Sequence, residues 1–165
     1  MQLSSLVPGL NGETGEQPVT GFAIDHRKIA PGNIFGAFRG AKFNGEDFIE
    51  AAVAAGAIAV VARPGAQVEG LVHIMDEEPR RLFARMAARY FTPTPANVAA
   101  VTGTNGKTST AELTRQLWRM DGYSSASIGT LGVTTADDQI KTGLTTPDIV
   151  TFLSNMSRRS QPRDF

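Results

Sequence analysis

The sequence predicts an α/β protein in two parts. Three features carry this: strand and helix patterns alternating over residues 1–91, a proline-punctuated break at 92–97, and a strand, glycine loop, lysine and helix in that order over 98–121.

The first part begins with "VTGFAID" (19–25), a short strand running into the polar turn "DHRKIAPGN", which Pro31 and Gly32 close. "IFGAF" (34–38) is the second strand. "RGAKFNGED" (39–47) is a loop, and Asp47 is the expected cap of the helix "FIEAAVAAG", which stops at Gly56. Ile58–Ala62 reads as a buried strand of small and β-branched residues, and "LVHIM" (71–75) follows a Pro-Gly turn. A helix then carries Leu82, Phe83, Met86, Ala87 and Tyr90 on one face. Pro79 lies near its start, where a missing N–H costs little. Arg80, Arg81, Arg85 and Arg89 fall between the apolar positions and are expected in solvent. His73, inside its strand with no partner cluster, is expected to be structural.

"TPTPAN" (92–97) places the boundary between a first domain, 1–94, and a second, 95–165. In the second, "VAAVTG" reads as a buried strand of a parallel sheet. "KTSTAELTRQLWRMDG" reads as a helix stopped by Gly122, with Leu117 and Trp118 packed on a sheet, and "SSASIGT" as the next strand. The last helix has Thr146 as expected cap, with Pro147 and Asp148 in its first turn. So short a stretch supplies too few strands for a doubly wound sheet, so the second domain is expected to be incomplete. Its unfinished sheet edge predicts self-association.

Composition narrows the function classes. Of 165 residues, 41% are hydrophobic, and sixteen basic residues balance sixteen acidic ones. Zero formal charge argues against a nucleic-acid-wrapping surface. Without cysteine there is no disulfide, thiolate nucleophile or Cys-ligated zinc. "MQLSSLVPGL" has neither the basic region nor the apolar core of a secretory signal, and "AAVAAGAIAVVA" is too short to span a bilayer. A cytoplasmic protein without membrane partners is expected.

The chemistry concentrates in "VTGTNGKTST" (101–110). Gly103 and Gly106 allow backbone N–H groups close to an anion, and the following helix aims its positive end at the same place. Lys107 adds a cation for terminal phosphates, and Thr108 offers Mg²⁺ a hydroxyl, with Ser109 a less direct candidate. Only Thr104 and Asn105 separate Gly103 from Gly106, two fewer than in the usual phosphate loop. A glycine turn leading into a surface helix is the plain alternative. A kinase or ATPase needs a second Mg²⁺ carboxylate, and Asp137, Asp138 and Asp148 are not at the ends of apolar strands.

With the loop, the linker and "DHRKIAPGNIFGAFRGAKFNGEDFIEAAVAAGAIAVVA" together, the chain resembles the Mur ligase family, in particular its MurE type. The resemblance covers about residues 18–157 and implies the first third of a longer enzyme. It implies a small N-terminal α/β domain that holds the uridine of a UDP-sugar, followed by the truncated start of a P-loop parallel-sheet ATPase domain. The family uses ATP and Mg²⁺ to join an amino acid, meso-diaminopimelate or lysine, to UDP-N-acetylmuramoyl-L-alanyl-D-glutamate. A carboxylate takes the γ-phosphoryl group, and an amine then displaces phosphate from the acyl phosphate. The implied ATP site is Gly103, Thr104, Asn105, Gly106, Lys107, Thr108 and Ser109. Lys107 and Thr108 are catalytic there, and Thr108 is the metal ligand.

The implied UDP-sugar contacts are Asp25, His26 and Arg27, with His26 where the family has serine, and Asn44, where it has aspartate. Thr145, Thr146 and Pro147 match the Thr-Thr-Pro segment that contacts the muramoyl group. Gly129 and Thr130 match a Gly-Thr after the second strand. Full-length members are expected to be monomers, and the 165-residue chain alone is expected to lack turnover. The resemblance ends at "NMSRRSQPRDF", where a reading-frame slip would return the family pattern and a fragment with an unrelated tail is the alternative. Two other functions stay open: a stand-alone UDP-sugar-binding module or relic, and a small P-loop NTPase.

Overall fold

The protein is described by a computed structural model covering residues 1–40, 43–140 and 147–160. The chain forms two compact units, Met1–Thr92 and Pro93–Phe165. Among the described residues no helix is long and apolar enough to cross a membrane.

The first unit is built on a four-stranded, fully parallel sheet in chain order: β1 (Gly21–Ala23), β2 (Asn33–Gly36), β3 (Ala59–Ala62) and β4 (Val72–Met75). Every residue of β2 and β3 is buried, as in a parallel sheet covered on both faces. Register assigns the faces, because alternate side chains point to opposite sides. Phe35 stands beside Val60, and with Ala37 and Ala62 they pack against Ile49 and Ala52 of α3 (Ile49–Ala54). Phe22 and Ala59 stand beside Ile34 on the other face, the side of α4 (Pro79–Tyr90). There Phe83 is fully buried, with its ring edge-to-face with Phe22 and with Phe38, at 5.3 Å in both cases.

Gly36 is a steric requirement of that packing. A Cβ there would stand 2.5 Å from the Phe38 ring and 3.0 Å from Phe83. The N-terminal segment adds two short helices, α1 (Leu3–Leu6) and α2 (Glu13–Glu16), and buries Leu3 and Leu6. The Tyr90 hydroxyl donates to the Thr20 carbonyl at 2.7 Å, tying the end of α4 to the entry of β1.

The four strands, α3 and α4 match the sequence reading to within a few residues at their ends, α1 and α2 were not read from it, and one cap is corrected. Asp47 does not cap α3. Asn44 instead caps a short 3₁₀ turn, Gly45–Phe48, its side-chain oxygen accepting from Glu46 N at 3.3 Å. The chain tightens into 3₁₀ before becoming α-helical, so the cap position moves three residues earlier. The four arginines of α4 are exposed as expected. His73 lies in β4 beside Val60, its Nε2 buried without a hydrogen-bond partner among the described residues.

The second unit departs further from the reading. Its sheet is an antiparallel meander: β5 (Ser127–Gly129), β6 (Gly132–Thr134) and β7 (Gln139–Ile140). Gly132, at φ 90°, helps turn the tight β5–β6 hairpin. The strand expected over 98–103 does not form: Val98 and Val101 are exposed, and among the described residues no strand pairs with this stretch. A parallel strand takes its hydrogen bonds from residues distant in sequence, so its apolar pattern alone cannot hold it.

Helix α5 (Lys107–Met120) ends before Gly122, whose φ of 87° suits a helix stop. Leu117, expected to pack on a sheet, is 62% exposed, with Leu113 and Met120 exposed on the same face. The face that α5 buries is centred on Arg115. Helix α6 (Ile149–Ser160) is capped by Asp148, whose carboxylate accepts from Val150 N and Thr151 N at 3.0 Å each. That cap places Pro147 before the helix rather than in its first turn. Thr145 and Thr146 lie outside the described residues.

Candidate functional site

Two groups of residues are candidates for ligand binding, one in each unit. The first lies at the carboxyl ends of the parallel strands, where open α/β sheets place their ligands. The chain leaving β1 turns at once through a 3₁₀ turn, His26–Lys28, capped by Asp25. Arg27 closes back on that cap: its Nε and Nη2 donate to the two Asp25 oxygens at 2.9 and 2.7 Å, and its backbone N donates at 3.1 Å. The Arg27 guanidinium holds the Asp25 carboxyl down at about 2. Asp25 is therefore an anion already committed to its neighbour.

His26 points elsewhere. Its ring stacks on Phe48, with centroids 4.3 Å apart and planes 4° from parallel, and its side chain keeps 30% exposure. Phe48 ends the turn that Asn44 caps, so the structure brings the expected Asp25–Arg27 and Asn44 segments together through a ring that the sequence reading did not single out. Both ends of the Asn44 amide are occupied within this turn, its nitrogen donating to Asp47 at 3.1 Å.

A second pair missed from sequence stands beside it. Arg63, leaving β3, grips Glu46 in a fork, Nε to Oε1 at 2.6 Å and Nη2 to Oε2 at 3.0 Å. The Arg63 guanidinium lowers the Glu46 carboxyl below its ordinary range. The partners are far apart in sequence, and no local pattern announces them.

The second group is the loop before α5. Gly106 is the N-cap of that helix and adopts the left-handed conformation, φ 77° and ψ −6°; Gly103 has φ 140°. Among the described residues only glycines have positive φ. Thr110 N makes a first helical bond to Gly106 O at 2.8 Å, and the first N–H groups of any helix lack intrahelical partners. Residues 101–106 are exposed. The Lys107 ammonium folds back and donates to Gly103 O at 2.5 Å and more weakly to Thr104 O at 3.4 Å.

Thr108, one turn before Glu112, lines a shallow cleft between α5 and residues 127–132 of the β5–β6 hairpin. Glu112 is fully engaged: it accepts from Arg115, from Gln116 Nε2 at 3.1 Å and from Ser127 Oγ at 3.1 Å. Arg115 also donates to the Thr135 carbonyl at 3.1 Å, which fastens α5 to the hairpin. These contacts, Arg115 foremost, bring the Glu112 carboxyl down to about 2. Glu112 is thus a structural anion. Among the described residues no three His, Asp or Glu side chains converge as a metal site.

The loop and the parallel sheet coincide with known sequence patterns. Residues 18–120 match the description "Mur ligase family, catalytic domain", and residues 101–163 match "Mur ligase middle domain". The chain belongs to the Mur ligase family. It is 62% identical over 146 residues to the UDP-N-acetylmuramoyl-L-alanyl-D-glutamate--2,6-diaminopimelate ligase of Zymomonas mobilis subsp. mobilis, covering 88% of this chain and 30% of that protein. The ligase of the same name from Bradyrhizobium diazoefficiens is 46% identical over 138 residues, with 84% and 28% covered. The chain therefore spans about 30% of the length of the curated relatives it matches.

Among solved structures, one of a UDP-N-acetylmuramoyl-L-alanyl-D-glutamate--2,6-diaminopimelate ligase aligns over 96% of this chain and 34% of its own, with TM-score 0.71 and 24% identity, a likeness of fold. MurF ligase from Thermotoga maritima, in complex with ADP, aligns over 64% of this chain and 24% of its own, with TM-score 0.53 and 28% identity.

Proposed function

We propose that this chain carries the UDP-sugar-binding part and the phosphate loop of a MurE-type ligase. Such an enzyme uses ATP to join diaminopimelate, or lysine, to UDP-N-acetylmuramoyl-L-alanyl-D-glutamate during cytoplasmic synthesis of peptidoglycan precursors. The observation that carries the reading is the loop 103–108: two positive-φ glycines, a lysine and a threonine opening a fourteen-residue helix. The names of the relatives support the reaction.

The residues present fit a bound nucleotide. Among the described residues, no atom beyond the glycine and its chain neighbours lies within 4 Å of where a Gly106 Cβ would be, which leaves an anion room to approach the backbone there. Lys107 would exchange its loop carbonyls for terminal phosphate oxygens, and Thr108 would offer its hydroxyl to Mg²⁺, with Gly103, Thr104, Asn105, Gly106 and Ser109 completing the cradle. Mg-ATP, when bound, supplies the phosphoryl group that activates the substrate carboxylate. Asp25 and Arg27 would hold the uridine end while fixed by one another, and the His26 ring would lie flat against the base. Asn44 would act by shaping the adjoining turn. Thr145, Thr146 and Pro147 would meet the muramoyl group.

One observation favours a narrower reading, a module that binds the UDP-sugar without turnover. The four strands of the first unit pair in one parallel sheet, whereas among the described residues no strand pairs with the exposed stretch leading into the phosphate loop. Separate titrations of UDP-N-acetylmuramoyl-L-alanyl-D-glutamate and Mg-ATP into the chain decide between the two. Binding of both supports the ligase portion, and binding of the UDP-sugar alone supports the module. Failure of both defeats the assignment.

A further inference from the structure

We propose that the Glu46–Arg63 ion pair is a positioning device for the nucleotide base: it fixes the 44–48 turn and, through Phe48, the plane of the His26 ring. This rests on the uridine reading given above.

The argument follows the covalent path. Arg63 directly follows Ala62, a fully buried residue of a strand paired on both sides, so its backbone is held by the rigid centre of the sheet. Its guanidinium binds both oxygens of Glu46, whose side chain is only 12% exposed. A planar fork on a carboxylate fixes direction as well as distance. Glu46 stands two residues before Phe48 in the same 3₁₀ turn, so fixing the one limits the other.

The opposite side of the turn is anchored too. Gly45 N donates to the Phe38 carbonyl at 2.7 Å, and a Cβ on Gly45 would stand 2.6 Å from Phe38 N. The turn is thus clamped between the exits of β2 and β3, and Phe48 delivers the result to His26 at the exit of β1. The stacked rings offer a flat, partly exposed platform, and stacking on an aromatic platform is a major, sequence-tolerant source of affinity for a base.

A purely structural role predicts something different. Arg63 is 38% exposed, and pairs of that exposure add little to global stability. The effect belongs in ring placement and base affinity more than in the melting temperature.

The test uses the 165-residue chain and UDP as probe, with Arg63→Gln, Glu46→Gln and the reversed double variant Glu46→Arg/Arg63→Glu. Two readouts are taken on each protein that keeps a cooperative thermal transition. One is UDP affinity by calorimetry. The other, without ligand, is the ring-current shift of the His26 imidazole protons by NMR, assigned against His26→Gln, since the chain has only two histidines. If a Gln variant does not fold, Arg63→Lys takes its place, keeping the charge and losing the fork.

The expected result is a relaxed His26 shift and UDP binding weakened roughly tenfold in the single variants, as lost preorganisation predicts, with both recovered in the reversal. Unchanged His26 signals in folded single variants overturn the positioning. A relaxed shift with unchanged UDP affinity overturns its link to the base. Absence of UDP binding in the unaltered chain overturns the uridine reading and this proposal with it, an outcome distinct from the other two.

Discussion

The ammonium of Lys107 donates to the carbonyl of Gly103 at 2.5 Å, closing the loop on itself. The lysine is satisfied by the same backbone that, in the proposed function, would cradle a phosphate. Moving it to a phosphate oxygen exchanges a neutral acceptor for a charged one, which is the stronger bond.

Lys107→Ala should therefore weaken Mg-ATP binding and leave the fold in place. A charge-assisted hydrogen bond is worth about 1.5–3 kcal/mol, which corresponds to a loss of roughly ten- to a hundredfold. Calorimetry on the variant and the unaltered chain measures it. An unchanged affinity would remove Lys107 from the site.

Gly106→Ala should destabilise the start of α5 by about 1–2 kcal/mol, because a left-handed φ of 77° opposes any Cβ while the space around it is open. Gly106→Asn should cost less, since asparagine tolerates this conformation better. Hydrogen exchange of the α5 amides reads both. Equal protection in all three proteins would mean that the loop adopts another conformation.

Glu112 sets an acid limit on the second unit. Its folded-state pKa, about 2, lies below the ordinary value of 4.5. A depressed carboxyl contributes stability that is fully present above about pH 4.5 and lost as pH falls toward 2. Glu112→Gln should flatten this part of the stability profile. It should also cost about 3 kcal/mol at neutral pH, since it leaves the buried Arg115 without its counter-ion. Chemical denaturation of α5 across pH 2–7 tests both; an unchanged acid slope would contradict the ion pair.

Phe83→Ala should be the most damaging of these changes to the first unit. The ring is fully buried and meets two other rings edge-to-face. Truncating such a residue costs about 3–5 kcal/mol. Urea denaturation should show the midpoint fall with an unchanged slope, and a loss below about 1 kcal/mol would mean that the core refills the space.

Much of the first unit was legible in the sequence because its signals are local. Asn33–Gly36 and Ala59–Ala62 are short apolar runs bounded by turn residues, and the apolar spacing of α4 puts Phe83, Met86 and Ala87 in the core. The stretch 98–103 looks equally strand-like, but pairing is not a local property, and with no paired strand among the described residues its valines stay exposed. The cap of α6 lies two positions after the expected Thr146: the Asp148 carboxylate accepts from two backbone N–H groups at once.

At the candidate sites, the conformation of the loop before α5 follows from the positive φ of Gly103 and Gly106. The contacts that join Glu46 to Arg63 and His26 to Phe48 bridge segments seventeen and twenty-two positions apart, and they arise only once the sheet brings strand exits together. Glu112 and Arg115 lie three apart on a helix, a spacing that forecasts their meeting. The burial of that pair, with the apolar face exposed instead, is a tertiary outcome.

The most direct test of the central claim is a two-dimensional NMR titration of the isotope-labelled chain with UDP-N-acetylmuramoyl-L-alanyl-D-glutamate. Saturable shifts confined mainly to residues 25–27 and 44–48 are the predicted result. Saturable binding that moves neither segment, or no binding at millimolar ligand, would contradict it.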